Sequence, residues 1–157
     1  MRMKYGKVVF GYKDSWDSQT TLGVIIHDWL VNFKKVILEK KDHPFMGVPN
    51  KVMNELYPDT HQHTDEQLQK GFEHWLFLLD EMIFAFSNDE PEYEGSFVRG
   101  KDHEDFDSED SKGLKTWNME PDDLNEWNKF LKECDEYAAK VEAGRVLFGK
   151  YFSSMWW

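Results

Sequence analysis

A chain of 157 residues with 40% hydrophobic and 16% aromatic side chains has enough apolar mass for its own core, which argues against wholesale disorder despite a charged fraction of 31%. Its net charge of −11 speaks against non-specific DNA binding, which needs cations to displace the counterions of the phosphates. The single cysteine, Cys134, excludes an internal disulfide, and the absence of Cys-x-x-Cys or Cys/His spacings excludes a structural zinc; a reducing compartment is the simplest reading. The apolar run Val8-Val9-Phe10 is too short for a signal-peptide core, and no stretch reaches the roughly 20 residues of a membrane span. A cytoplasmic protein without a membrane segment is expected.

In chain order, residues 1–13 mix Tyr5, Val8, Val9 and Phe10 with Gly6 and Gly11, which predicts a short strand or an extended arm. The first helix is capped by Asp17 and carries an apolar stripe at Leu22, Ile25, Ile26, Trp29, Leu30, Phe33, Val36 and Ile37. Lys40 and Lys41 suit its C-terminal end, and His43-Pro44 breaks it. Gly47 and Pro49 mark a connector, with Pro49 in the first turn of a short helix through Leu56. Thr64 and Gln67 form a Thr-x-x-Gln capping box for a second main helix over residues 65–87, whose stripe is Leu68, Phe72, Trp75, Leu76, Leu79, Met82, Ile83 and Phe86.

Residues 88–119 contain Pro91, Gly95, Gly100 and Gly113 and show no period, which predicts a long acidic loop with a brief hairpin around Ser96–Arg99. The third main helix opens near Pro121, with Asp122 and Asp123 at its positive end. Its stripe runs Leu124, Trp127, Leu131, Cys134, Ala138, Val141, Phe148, Phe152 and Met155. Gly144 interrupts it, so the segment is either one helix with a close-packing glycine or two helices with a bend. The prediction is a mainly α single domain over residues 1–157: a bundle of about three main helices, a short N-terminal strand or arm and a long acidic loop.

The charge is local. Residues 89–136 hold 17 of the 30 acidic residues and six of the 19 basic ones, leaving the rest of the chain neutral. Lys34, Lys35, Lys40 and Lys41 are candidates for a basic pocket in that neutral part.

Motifs for chemistry are sparse. The chain has no phosphate-cradling glycine loop, no nucleophile elbow and no His-Glu-x-x-His. Asp59, His61 and His63 have spacing that can ligate a metal from a loop, although a solvated loop ahead of a helix cap explains them as well. Asp80 and Glu81 with Glu133 and Glu136 can form a carboxylate cage, but the repeated Glu-x-x-His pairs of such cages are missing. His27 and His74 sit at the edges of apolar stripes, where a boundary histidine and a ligand-binding one look alike. Trp16, Trp29, Trp75 and Trp127 are spaced as core residues.

Several segments resemble a known family. These are Asp14-Ser15-Trp16-Asp17 running into Ile25-Ile26-His27, the stretch from Lys40 to Pro49, and Trp75 leading to Asp80-Glu81-Met82-Ile83-Phe84-Ala85-Phe86. The closing segment Arg145-Val146-Leu147-Phe148-Gly149-Lys150-Tyr151-Phe152 is a fourth. Together they resemble a family of uncharacterised small proteins of tailed bacteriophages, over residues 14–87 and 137–157 and in the same order. The acidic middle lies outside the resemblance. The resemblance implies a phage origin, an infected host cytoplasm and a helical fold, and carries over no catalytic residue. Small phage accessory proteins are often counter-defence factors, and some sequester nucleotide-derived immune signals, an association of context only.

Two main readings follow. In the first the protein is a non-enzymatic counter-defence factor that sequesters a nucleotide-type small molecule. Its ligand-binding set is Trp16, His27, Lys34, His74, Arg145, Lys150 and Tyr151, with Arg145, Lys150 and Lys34 on phosphates and Trp16 or Tyr151 stacked on the base. In the second it is an acidic inhibitor or modulator of a host nucleic-acid-handling or defence enzyme, working through residues 89–136. A metal-dependent hydrolase at Asp59, His61, His63 and Asp80-Glu81 is a distant third. No cofactor is expected, and Trp156-Trp157 suits a homodimer contact. On the second reading, deleting residues 100–116 abolishes activity and leaves the fold intact, as circular dichroism with an activity assay would show.

Overall fold

The computed structural model describes residues 2–4, 7–9, 18–39, 47–60, 62–87, 89–99 and 119–155. They form a mainly helical protein with four α-helices: α1 (Ser18–Glu39), α2 (Asn50–Leu56), α3 (Asp65–Phe84) and α4 (Leu124–Tyr151), the last followed by a 3-10 turn (Phe152–Ser154). Two antiparallel strand pairs accompany them, β1 (Arg2–Lys4) with β2 (Lys7–Val9) and β3 (Phe97–Arg99) with β4 (Met119–Pro121). No helix among the described residues is long and apolar enough to cross a membrane. The chain divides into two compact units, residues 1–89 with 139–157 and residues 90–138.

In the first unit α1 and α2 both pack on α3. Leu30, Phe33 and Ile37 of the α1 stripe and Trp75, Leu79 and Met82 of the α3 stripe converge on a core that also takes in Val52 from α2 and Leu78 from α3, closed by Tyr151 and Met155. Trp75 is fully buried and meets the Tyr151 ring edge-on, centroids 5.6 Å apart. Burying a side chain of this kind stabilises by roughly 1.5–3 kcal/mol, so a stripe of them fixes the helix faces that meet.

The ends of the helices follow local chemistry. Gly47 takes φ 96°, a left-handed conformation that suits glycine, and turns the chain into extended Pro49, from which α2 starts. Thr64 and Gln67 form the expected capping box: Thr64 Oγ1 accepts from the Gln67 amide at 3.3 Å, and Gln67 Oε1 accepts from the Thr64 amide at 3.0 Å. The helix ends at Phe84, not near residue 87. Beyond it the amides of Phe86 and Ser87 bond three residues back, and the Ser87 hydroxyl donates to the Phe84 carbonyl at 2.9 Å, tightening the last turn. Asp17 and the 40–46 helix stop lie outside the described residues.

The third main helix also starts later than Pro121. Pro121 is the last residue of β4, paired with Phe97, and Asp123 is the cap, accepting from the amides of Asn125 and Glu126 at 2.7 and 3.2 Å. Asp122 turns to Ser96 instead, through its amide at 3.0 Å and through its carboxylate, which accepts from the Ser96 hydroxyl. The segment expected as an acidic loop thus contains β3, at the site of the expected hairpin but paired with a strand about 20 residues further on.

α4 runs unbroken through Gly144. A Cβ there would stand well inside van der Waals contact of the Glu81 carbonyl oxygen and the Ala85 methyl of α3, so Gly144 is a close-packing glycine. Gly149, five residues on, has open space around it. Gly144→Ala is expected to cost about 1–3 kcal/mol of unfolding free energy through overpacking. Gly149→Ala is expected to be neutral or stabilising by up to about 1 kcal/mol. Urea denaturation of both variants checks the contrast.

Candidate functional site

Lys34, His27 and His74, expected to bind ligand, each contact a neighbouring side chain. Lys34 reaches from α1 to Asp80 on α3 at 2.5 Å, a half-exposed ion pair. His27 lies seven residues before Lys34, on the same face of α1, and bonds the adjacent Asp28 at 3.3 Å. His74 stacks with exposed Phe77 on α3, centroids 6.4 Å apart. Trp16 lies outside the described residues.

Lys150 and Tyr151 come together at one carboxylate. Glu55 on α2 accepts from Lys150 Nζ at 2.6 Å and from the Tyr151 hydroxyl at 2.5 Å, while Lys51 donates to the Lys150 carbonyl at 3.0 Å. The Lys150 and Tyr151 hydrogen bonds hold the Glu55 carboxyl below the usual carboxylate range. The Glu55 bond raises the Lys150 ammonium, and burial, followed by the Glu55 bond, raises the Tyr151 phenol. These groups clip the short α2 to the end of α4. Arg145 is five residues before Lys150, on a different side of α4, with its guanidinium 6.0 Å from the Phe86 ring centre.

The carboxylates considered for a metal cage have lysine partners: Asp80 with Lys34, Glu81 with Lys140 at 4.0 Å, Glu133 with Lys129 at 3.7 Å and Glu136 with Lys132 at 3.4 Å. Asp59 is exposed, His63 leans on the Tyr57 ring at 5.9 Å, and His61 lies outside the described residues. Among the described residues no three His, Cys, Asp or Glu side chains gather as a metal site.

The second unit carries a cleft that sequence reading did not single out. Tyr93, Phe97, Trp127 and Phe130 pack as an aromatic quartet, with Tyr93 5.1–5.4 Å from the other three rings. The Tyr93 ring folds back over Gly95, where a Cβ would collide with it. Beside the quartet, Glu92, Tyr93, Glu94 and Gly95 face Glu126, Lys129, Phe130 and Glu133 of α4 across a cleft of about 280 Å³. Four glutamates stand against a single lysine there, so the cleft is electronegative. Burial, then the nearby Asp122, Glu126 and Asp123, keep the Tyr93 phenol protonated above its ordinary range. The one sequence signal for this cleft was the Glu-Tyr-x-Gly-x-Phe run at 92–97 inside an otherwise aperiodic acidic segment.

The Glu55 clip has a pH signature. Its carboxyl is depressed in the folded state, so the clip contributes fully above the unfolded carboxylate range and is lost as pH falls through the folded value. Glu55→Gln is therefore expected to flatten the acid limb of the stability–pH curve between neutral and strongly acidic pH, in thermal melts against the parent chain. An unchanged acid limb would show that the carboxyl is not depressed. Comparison of the chain with family models, with curated proteins and with solved structures finds no match.

Proposed function

We propose that this protein acts by binding and not by catalysis, with the second unit's acidic cleft as its working surface and a basic protein as its partner. The observation that carries the reading is the cleft itself: four glutamates around the edges of Tyr93 and Phe130, opposed by Lys129 alone. A carboxylate ring beside aromatic faces suits a lysine or arginine side chain, which gains from the charges and from the ring quadrupole together. The excess of 17 acidic over six basic residues in 89–136 supplies the long-range field that speeds encounter with such a partner. With the resemblance to tailed-phage proteins, the partner class is a host enzyme that handles nucleic acid or serves defence, whose own surface is basic.

Sequestration of a nucleotide-derived signal is supported less well at the residues first expected to do it. Lys34 and Lys150 already hold Asp80 and Glu55, so a phosphate there has to displace an ion pair.

An arginine-rich peptide is the probe. Binding by the full-length protein is expected to weaken steeply with ionic strength, and Glu126→Gln/Glu133→Gln is expected to weaken it about tenfold, the worth of two partly exposed charge pairs. Titration calorimetry reads both. Affinity unchanged by salt and by the double variant would sink the reading.

A further inference from the structure

α1 carries a second apolar row that the core of the first unit does not use. Its buried face is Leu30, Phe33 and Ile37. Val24, Val31 and Leu38 lie on another side of the helix, two turns apart from one to the next, and are 44%, 43% and 54% exposed. Single exposed apolar residues are ordinary on a protein surface. Three in line over about 21 Å of helix form a strip.

Charge repeats along this strip. Asp28 stands one turn after Val24 and one before Val31, and Lys35 holds the same relation to Val31 and Leu38, so both share one flank. Both side chains are well exposed: Asp28 meets the adjacent His27, and Lys35 stands a loose 3.8 Å from Glu39. The other flank holds His27 and Lys34, the latter bonded to Asp80.

We propose that this strip pairs with the same strip of a second copy of the chain, antiparallel, about a two-fold axis beside Val31. Such an axis sets Val31 on its counterpart, and Val24 of each copy on Leu38 of the other. In an antiparallel pair like flanks face each other, so Asp28 of each copy stands opposite Lys35 of the other. A parallel pair about the same row opposes unlike flanks and brings Lys35 of one copy against Lys34 of the other. Charge complementarity thus selects both the occupant and its direction, since a neutral apolar partner answers neither Asp28 nor Lys35. Three apolar layers from one helix fall short of the roughly 800 Å² per partner of a stable interface, so the pair is weak, with a dissociation constant of about 100 µM. This surface is separate from the acidic cleft and does not rest on the basic-partner reading.

Sedimentation velocity of the full-length protein, from about 5 µM to about 1 mM, tests it. Monomer is expected to pass to dimer over that range. Val31→Lys sets two ammonium groups together on the axis and is expected to abolish the dimer throughout. Asp28→Lys and Lys35→Asp each make both charge pairs repulsive, and each is expected to weaken the dimer about tenfold. Mixed in equal amounts, these two variants regain opposite charges across the axis, and the mixture is expected to return to the parent affinity. All three positions are exposed, and thermal melts alongside check that each variant keeps the parent fold. A chain that stays monomeric throughout overturns the proposal. So does a dimer that survives Val31→Lys, which assigns the contact to another surface. A mixture no tighter than its components also overturns it, because only the antiparallel register predicts the rescue.

Discussion

At Gly144 the backbone of α4 approaches the carbonyl of Glu81 more closely than any side chain would permit. That approach sets the position of everything after it on α4. Leu147 and Phe148 come down on the core, Tyr151 reaches the edge of Trp75, and Lys150 arrives within 2.6 Å of Glu55. A residue with a Cβ would lift the helix from α3 and open the packing around Trp75 at the centre of the unit. The constraint is steric and local, and the fold of the first unit depends on it.

Electrostatics in the first unit is largely spent on structure. Lys34 with Asp80 joins α1 to α3, Lys140 with Glu81 joins α4 to α3, and Lys150 with Glu55 joins α4 to α2. Each is partly exposed, so each adds modestly to stability and more to the choice of helix pairing. Arg145 is the exception among these described cations, with its guanidinium 6.0 Å from the Phe86 ring centre.

The second unit is organised differently. Its aromatic quartet takes the place of a helix-on-helix core, and β3 with β4 and the Ser96–Asp122 link hold its chain together. Leu124 and Leu131, in the first half of α4, are exposed although both belong to its apolar stripe. The acidic side chains are solvated at the rim of a cleft whose other wall is ring surface, a pairing of hydration and stacking that suits recognition of cations.

Sequence alone determined the helices and most of the buried faces. The Thr64–Gln67 box, the Pro49 start and the threefold and fourfold spacing around Trp75 are local signals, readable because capping and amphipathicity are written within one turn of the chain. Gly144 was legible as a choice between a bend and a close approach; only the presence of Glu81 and Ala85 opposite decided it. Trp29 shows the limit of periodicity, since its spacing marked it as core while the folded unit leaves it 37% exposed. The lysines show the same limit for charge. Whether Lys34, Lys150 or Arg145 is available to a ligand depends on carboxylates far away in sequence, brought near or kept away by helix packing. Spacing along a chain fixes which face a residue shares, and tertiary structure alone fixes what stands opposite that face.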